Sequence, residues 1–276
     1  MSLGTICRLV RKNKHTKIIS IADNIIPHEK RPGDNFLCSY FVNSADGFIT
    51  MSESVLVDLR KFNKDKPGIL SPHPIYDHYG KIESREVALK KINLSDNYRY
   101  VLFFGFIRDY KGLDLLLFAF ADPFFRDNNI KLIVAGEFYT DNSVYTNLIS
   151  TLKINDLVEL RTDYIPNSDV PNYFNSADII AQPYKSATQS GVTQISYHFN
   201  KPMLVTNVGG LPEIVPHLKA GYVVNPDPEE IKDALKDYFI NKKSDEFTAN
   251  VVVEKDRFSW DKMTGSIMRL ANLIKK

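Results

Sequence analysis

Residues 100–120 read YVLFFGFIRDYKGLDLLLFAF. The apolar run 100–104 is too short for a helix and is bounded by Gly105, so it reads as a buried strand; after Gly112 the apolar residues recur at helical spacing over 113–121. In an open parallel sheet, ligands bind beyond the carboxyl ends of the strands, and a glycine at such an end lets a ligand reach the backbone. Arg108 and Lys111 lie in the intervening loop. They suit a diphosphate, the arginine through its planar two-pronged donor set and the lysine as a compact positive charge.

The alternation continues to the C-terminus. Strands are expected at 131–135, 157–160, 179–182, 203–206 and 222–224, and helices at 144–154, 170–176, 191–199 and 229–239, the pattern of one doubly wound parallel sheet with crossover helices. Two more strand-to-helix junctions carry polar groups. In 183–202 (PYKSATQSGVTQISYHFNKP), Ser190 can cap a helix whose free N–H groups attract anions, Gly191 leaves room for contact, and Gln189 and Gln194 offer neutral hydrogen bonds. In 206–213 (TNVGGLPE), Gly209 and Gly210 permit close backbone approach and Glu213 can accept hydrogen bonds from hydroxyls. Each junction alone also fits an ordinary capped turn or charged loop. Three on one sheet edge point to a shared site.

The first part of the chain is a shorter version of the pattern, with strands at 17–21 and 47–51 and helices at 36–43 and 53–61. So small a sheet leaves faces and edges uncovered, which predicts an upstream portion or an oligomer that covers them. The opening residues supply no first strand and read as a boundary rather than a natural beginning. The segment 71–80 (SPHPIYDHYG) reads as the link between domains. Phe258, Met263, Ile267, Leu270, Leu273 and Ile274 form a largely one-sided stripe on a final helix that should pack back on the N-terminal part. The expected division is 1–80 as a partial acceptor-side domain with its linker, 81–255 as the donor-binding domain, and 256–276 as that helix.

Composition narrows the chemistry. Lys plus Arg number 35 and Asp plus Glu 33, a net charge of +2, which gives no reason to expect a nucleic-acid partner. Arg8, Arg11, Lys12, Lys14, Lys17 and Lys30 cluster near the start, and a basic cluster of this kind favours peripheral contact with an anionic membrane or acceptor. Cys7 and Cys38 have neither metal-ligand nor disulfide-framework spacing, so no metal and a reducing cytoplasm are expected. Asp227 and Glu229 read as helix-start carboxylates rather than a metal pair. No glycine fingerprint with a following ribose-binding acid opens either sheet, which argues against a nicotinamide enzyme.

From residue 17 to the terminal helix, the order of motifs resembles the retaining glycosyltransferases of family 4, which have the GT-B fold of two facing Rossmann-like domains. The resemblance is carried by Gly105, Arg108, Lys111 and Gly112 in GFIRDYKGLDLLL, Ala135 and Gly136 in LIVAGE, Ala177 and Asp178 in NSADIIAQPY, Pro202 in NKPMLVT, Gly209, Gly210 and Glu213 in GGLPE, and Ser259 and Trp260 in FSWDKM. It implies an α/β, GT-B-like chain with a complete C-terminal Rossmann-like domain and a partial N-terminal one. It also implies a hexosyl-type, retaining, metal-independent transferase that takes a nucleotide-diphospho-sugar as co-substrate and a glycan or lipid-linked acceptor, without further cofactor, for polysaccharide or glycan synthesis in the cytoplasm or at the inner membrane face.

By this resemblance Arg108, Lys111 and Gln189 are the catalytic residues, Arg108 and Lys111 neutralising the departing diphosphate, with Phe106 standing where the family's arginine usually is. Gly105, Ser190, Gly191, Gln194, Gly209, Gly210 and Glu213 bind the donor. His28, Glu29 and His73 lie on the acceptor side. The family's pair of glutamates falls on Ala187 and Ile195, so Gln189, Ser190 and Gln194 are expected to replace them as neutral groups. That departure keeps two alternatives open: a noncatalytic nucleotide-sugar-binding module, and a sugar phosphorylase or epimerase of the same fold.

Overall fold

The computed structural model describes residues 3–27, 31–139 and 141–274. It divides into two compact units, Met1–Pro74 with Arg257–Lys276, and Ile75–Asp256.

In chain order the first unit contains α1 (Leu3–Val10), β1 (Ile19–Ala22), α2 (Asp34–Val42), β2 (Gly47–Thr50), α3 (Glu53–Phe62) and β3 (Gly68–Leu70). The strands form a parallel sheet of order β1-β2-β3, with β2 wholly buried. Ser52 starts α3 by accepting the Val55 N–H.

The second unit contains α4 (Arg85–Lys91), β4 (Arg99–Phe104), α5 (Leu113–Phe120), α6 (Pro123–Asp127), β5 (Ile130–Ala135), α7 (Ser143–Thr151), β6 (Val158–Arg161), α8 (Val170–Ser176), β7 (Ile179–Gln182), α9 (Gly191–His198), β8 (Met203–Thr206), α10 (Leu211–Ile214), β9 (Gly221–Val224), α11 (Pro228–Ile240) and α12 (Ser244–Glu254). The chain then returns to the first unit with α13 (Trp260–Ile274). On α13, Met263 and Leu270 pack with Ile49 of β2, joined by Ile267 and Ile274. Leu273, expected on the same stripe, is exposed, because it lies off the 263–267–270–274 line that helical geometry turns toward β2.

All six strands of the second unit are parallel, in the order β6-β5-β4-β7-β8-β9. Consecutive strands run outward from β4 through β5 to β6, then restart at β7 on its other side. The direction of winding therefore reverses between β4 and β7, and the carboxyl ends of these two strands flank the crevice where such sheets bind ligands. One face of the sheet, through Val101, Phe103, Leu132, Val134, Ile179 and Ala181, packs with α5, α7 and α11. On the other, Phe104 meets Phe174 of α8 with ring centroids 5.0 Å apart, and Phe174 stacks on Phe199 at 5.6 Å.

Local chemistry sets the element ends. Asp122 and Asp227 cap α6 and α11 through their side chains, each followed by a proline whose missing N–H costs nothing in the first turn. Asn93, Asn129, Lys153 and Asn200 stop α4, α6, α7 and α9 in the left-handed conformation. Asp178 accepts the Tyr100 N–H at 2.7 Å and pairs with Arg85 at 3.2 Å, so the carboxylate of the NSADII motif fastens the start of β4. Among the described residues, no helix is long and apolar enough to cross a membrane.

Candidate functional site

The loops that follow β4, β5, β7 and β8 are joined at the carboxyl edge of the sheet. Gly112 has φ +67°, and a β-carbon there would lie 2.0 Å from the Pro183 carbonyl oxygen, so the loop after β4 can touch the loop after β7 only through glycine. The Lys185 N–H donates to Tyr110 O at 2.7 Å across the same junction. Gly209, at φ +52°, would place a β-carbon 1.5 Å from Ala187 O, and the Gly210 N–H donates to Thr188 O at 2.9 Å, which ties the loop after β8 to the same place. On the other side Ile107 N–H donates to Glu137 O at 2.8 Å, so the loop after β5 joins too. The three junctions read from the sequence are thus brought together.

At their centre is Lys111, which ends a short 3-10 turn, Asp109–Lys111. A methyl group on Gly105 would sit 3.1 Å from the Lys111 Nζ, so the ammonium lies over bare backbone at the end of β4. It also lies 5.8 Å from the Tyr184 ring centre. Burial, and then the nearby charge of Arg108, push its pKa down to about 8. Among the described residues neither Arg108 nor Lys111 forms an ion pair. The Arg108 guanidinium stacks 3.8 Å from the Tyr139 ring centre, an arrangement the sequence did not suggest.

Ser190 caps α9, accepting the Val192 N–H at 3.2 Å, and its hydroxyl meets the buried Tyr184 phenol at 3.1 Å. Burial holds the pKa of that phenol well above the ordinary tyrosine value. Replacing Ser190 by alanine removes a cap and orphans a buried hydroxyl, so urea denaturation should show a loss of roughly 1–3 kcal/mol. Gly191 faces Tyr76, whose ring would be 3.1 Å from an added β-carbon. Gln194 is fully buried, and neither of its amide atoms has a hydrogen-bond partner in the described residues; the same holds for Gln182 at the end of β7. Gln189 is half-buried before α9, and Glu213 is exposed on α10.

Beside Gly105 and Gly136 opens a cavity of about 190 Å³, lined by Tyr79, Phe104, Phe106, Glu137, Tyr164 and Asn167 among others. Sequence reading missed this pocket, since its walls come from several strand ends and from Tyr79 far upstream. A local signal was an aromatic placed directly after the glycine that ends a strand, as with Phe106 after Gly105. His28 and Glu29 lie outside the described residues. His73 belongs to the first unit, its Nδ1 2.6 Å from Pro74 O. Among the described residues no group of three or more His, Cys, Asp or Glu could hold a metal ion.

A parallel sheet whose switch point carries two cations, neither ion-paired among the described residues, can hold a diphosphate, and comparison with known proteins gives the family. The model of the family "Glycosyl transferases group 1" matches residues 84–251, and the chain belongs to that family. It is 27% identical over 161 residues to D-inositol 3-phosphate glycosyltransferase of Thermobifida fusca, covering 55% of this chain and 37% of that one. It is 24% identical over 243 residues to the enzyme of the same name from Corynebacterium glutamicum, covering 84% and 58%. The chain therefore spans about half the length of these relatives. In fold it resembles Anabaena HepE, a structure solved in complex with UDP, with a TM-score of 0.81 at 14% identity, over 99% of this chain and 76% of that one.

Proposed function

We propose that the chain binds a nucleotide-diphospho-sugar in its second unit and transfers the sugar to an acceptor hydroxyl with retention, as a family 4 member. The observation that carries this reading is Lys111: a desolvated ammonium over Gly105, at the switch point of the sheet, with no carboxylate partner among the described residues. Burying a cation without a counter-charge is costly, and an incoming diphosphate would relieve that cost.

As the glycosidic bond breaks, negative charge grows on the departing diphosphate. Lys111, Arg108 and the positive end of the α9 dipole stabilise that charge more than the ground state and so lower the barrier. These groups take the part that a metal clamp plays elsewhere. The aromatic-walled cavity beside Gly136 receives the base, Gln189 supplies a neutral hydrogen bond to the donor and Glu213 accepts from the sugar, whereas Gln194, expected to bind the donor as well, is wholly buried and presents no surface to it. The UDP-bound HepE structure, similar in fold, supports the choice of a nucleoside diphosphate. The first unit supplies part of the acceptor side, where His28, Glu29 and His73 are placed by the family resemblance, and the acceptor is a glycan or lipid-linked hydroxyl at the cytoplasmic membrane face.

Ile195, buried where the family has a glutamate, favours a second reading as a noncatalytic nucleotide-sugar-binding module. Acceptor-dependent release of nucleoside diphosphate separates the two. A thermal-shift panel of nucleotide-sugars tests both at once: a selective donor at about a hundred times its Kd adds about 2.7 kcal/mol, and a panel without any shift contradicts the proposal.

The pKa of Lys111 also sets a pH dependence. The ammonium is charged below about 8 in the free protein and the diphosphate binds the charged form, so affinity falls as pH rises through that value. Calorimetry should show about a tenfold loss between pH 7 and pH 9. An affinity flat across that range would count against Lys111 as the counter-charge.

A further inference from the structure

A surface helix usually turns polar residues to the solvent, and α1 does the reverse. Its Gly4 and Cys7 are buried against the first unit, where a β-carbon on Gly4 would lie 2.5 Å from the Tyr40 ring of α2. Leu3, Ile6 and Val10, at helical spacing, and Leu9 beside them are between 42% and 59% exposed. Phe36 of α2, 72% exposed, stacks on the same Tyr40 ring with centroids 6.4 Å apart and extends the apolar surface. Isolated exposed apolar residues are ordinary, whereas a continuous stripe of this kind marks a docking surface.

Charge identifies the occupant. Residues 1–22 contain five Lys and Arg and no Asp or Glu. The Arg11, Lys12 and Asn13 N–H groups donate to Cys7 O, Leu9 O and Val10 O, so the winding continues past α1 and sets basic residues at the end of the apolar stripe. Arg11 pairs with Asp46 at 3.4 Å, and Arg8 lies over the Tyr40 ring at 4.1 Å. Lys12, Lys14 and Lys17 are exposed and form no ion pair among the described residues. An anionic bilayer offers both partners at once, acyl chains for the stripe and head-group charge for the lysines. A second copy of this surface would instead bring two basic stretches together, which like charge opposes.

We propose that α1, with the basic residues that follow it, docks the first unit on an anionic lipid surface. The helix lies in the plane of the interface and does not cross it. The inference rests on the proposed function only for its purpose, which is to bring the first unit to an acceptor at the membrane.

The test is flotation of the whole chain with vesicles of phosphatidylcholine alone and of phosphatidylcholine with about a third phosphatidylglycerol, alongside light scattering and calorimetry with UDP, GDP, ADP and dTDP. The wild type should float with the anionic vesicles, stay behind with the neutral ones, and bind more weakly in about 0.5 M salt, which screens the lysines. Ile6→Gln with Val10→Gln, and separately Lys12→Glu with Lys14→Glu, should each weaken binding to anionic vesicles by at least about tenfold, since one cation near such a surface contributes roughly fivefold. All four side chains are exposed, so thermal unfolding and diphosphate affinity should stay as in wild type. A wild type that binds neither vesicle, or variants that float as wild type does, would overturn the inference. A dimer that the two glutamines dissociate, without lipid binding, would overturn it too and give the surface to a second copy. Vesicle binding without binding of any diphosphate would sink the proposed function and leave this docking surface standing.

Discussion

Replacing Lys111 by methionine is expected to weaken nucleoside-diphosphate binding by about a hundredfold while making the ligand-free protein more stable. The first effect follows from losing the one desolvated cation over Gly105, where charge-assisted bonds to a buried diphosphate are worth about 3 kcal/mol. The second has the opposite sign. A pKa drawn from 10.5 to about 8 means that the fold works against the charged ammonium, by roughly 1–3 kcal/mol at neutral pH once partial exposure is allowed for. Methionine keeps the length of the side chain and removes that cost. Thermal unfolding and calorimetry on the same preparation read both effects, and a variant that loses stability together with affinity would mark Lys111 as a structural residue.

The second large effect is expected at Gly112. Gly112→Ala puts a β-carbon 2.0 Å from a backbone carbonyl in the left-handed region, which no side-chain rotation relieves. The loops after β4 and β7 must part, and Lys111, next in sequence, moves with them. Stability should fall by roughly 2–4 kcal/mol in urea denaturation, with at least about tenfold weaker diphosphate binding. Wild-type behaviour in both measurements would mean that the two loops are not held as described.

How far the sequence foretold this structure depends on where each element gets its stability. Strands β7 and β8 were readable residue for residue, because each is a short, wholly buried run closed by a polar residue or proline. Helix α12, by contrast, was missed: its Thr248, Val251, Val252 and Val253 are poor helix formers, and it exists because Phe247 and Val251 are drawn into buried positions. Strand β3 has three residues and no pattern to read, and α4, with seven, is mostly polar. The glycines, cations and cap of the three junctions were legible as chemistry. That Lys111 is desolvated, that Arg108 stacks on Tyr139, and that Lys185 reaches across from another loop are tertiary facts, and no local spacing announces them.

A crystal structure of the chain with its preferred nucleoside diphosphate examines most directly whether the Lys111 ammonium, without an ion pair among the described residues, is held for a diphosphate. Phosphate oxygens within roughly 3 Å of the Lys111 Nζ, above Gly105 and facing the start of α9, are the expected result. A diphosphate seated elsewhere, with Lys111 still turned only toward Tyr184, would contradict it.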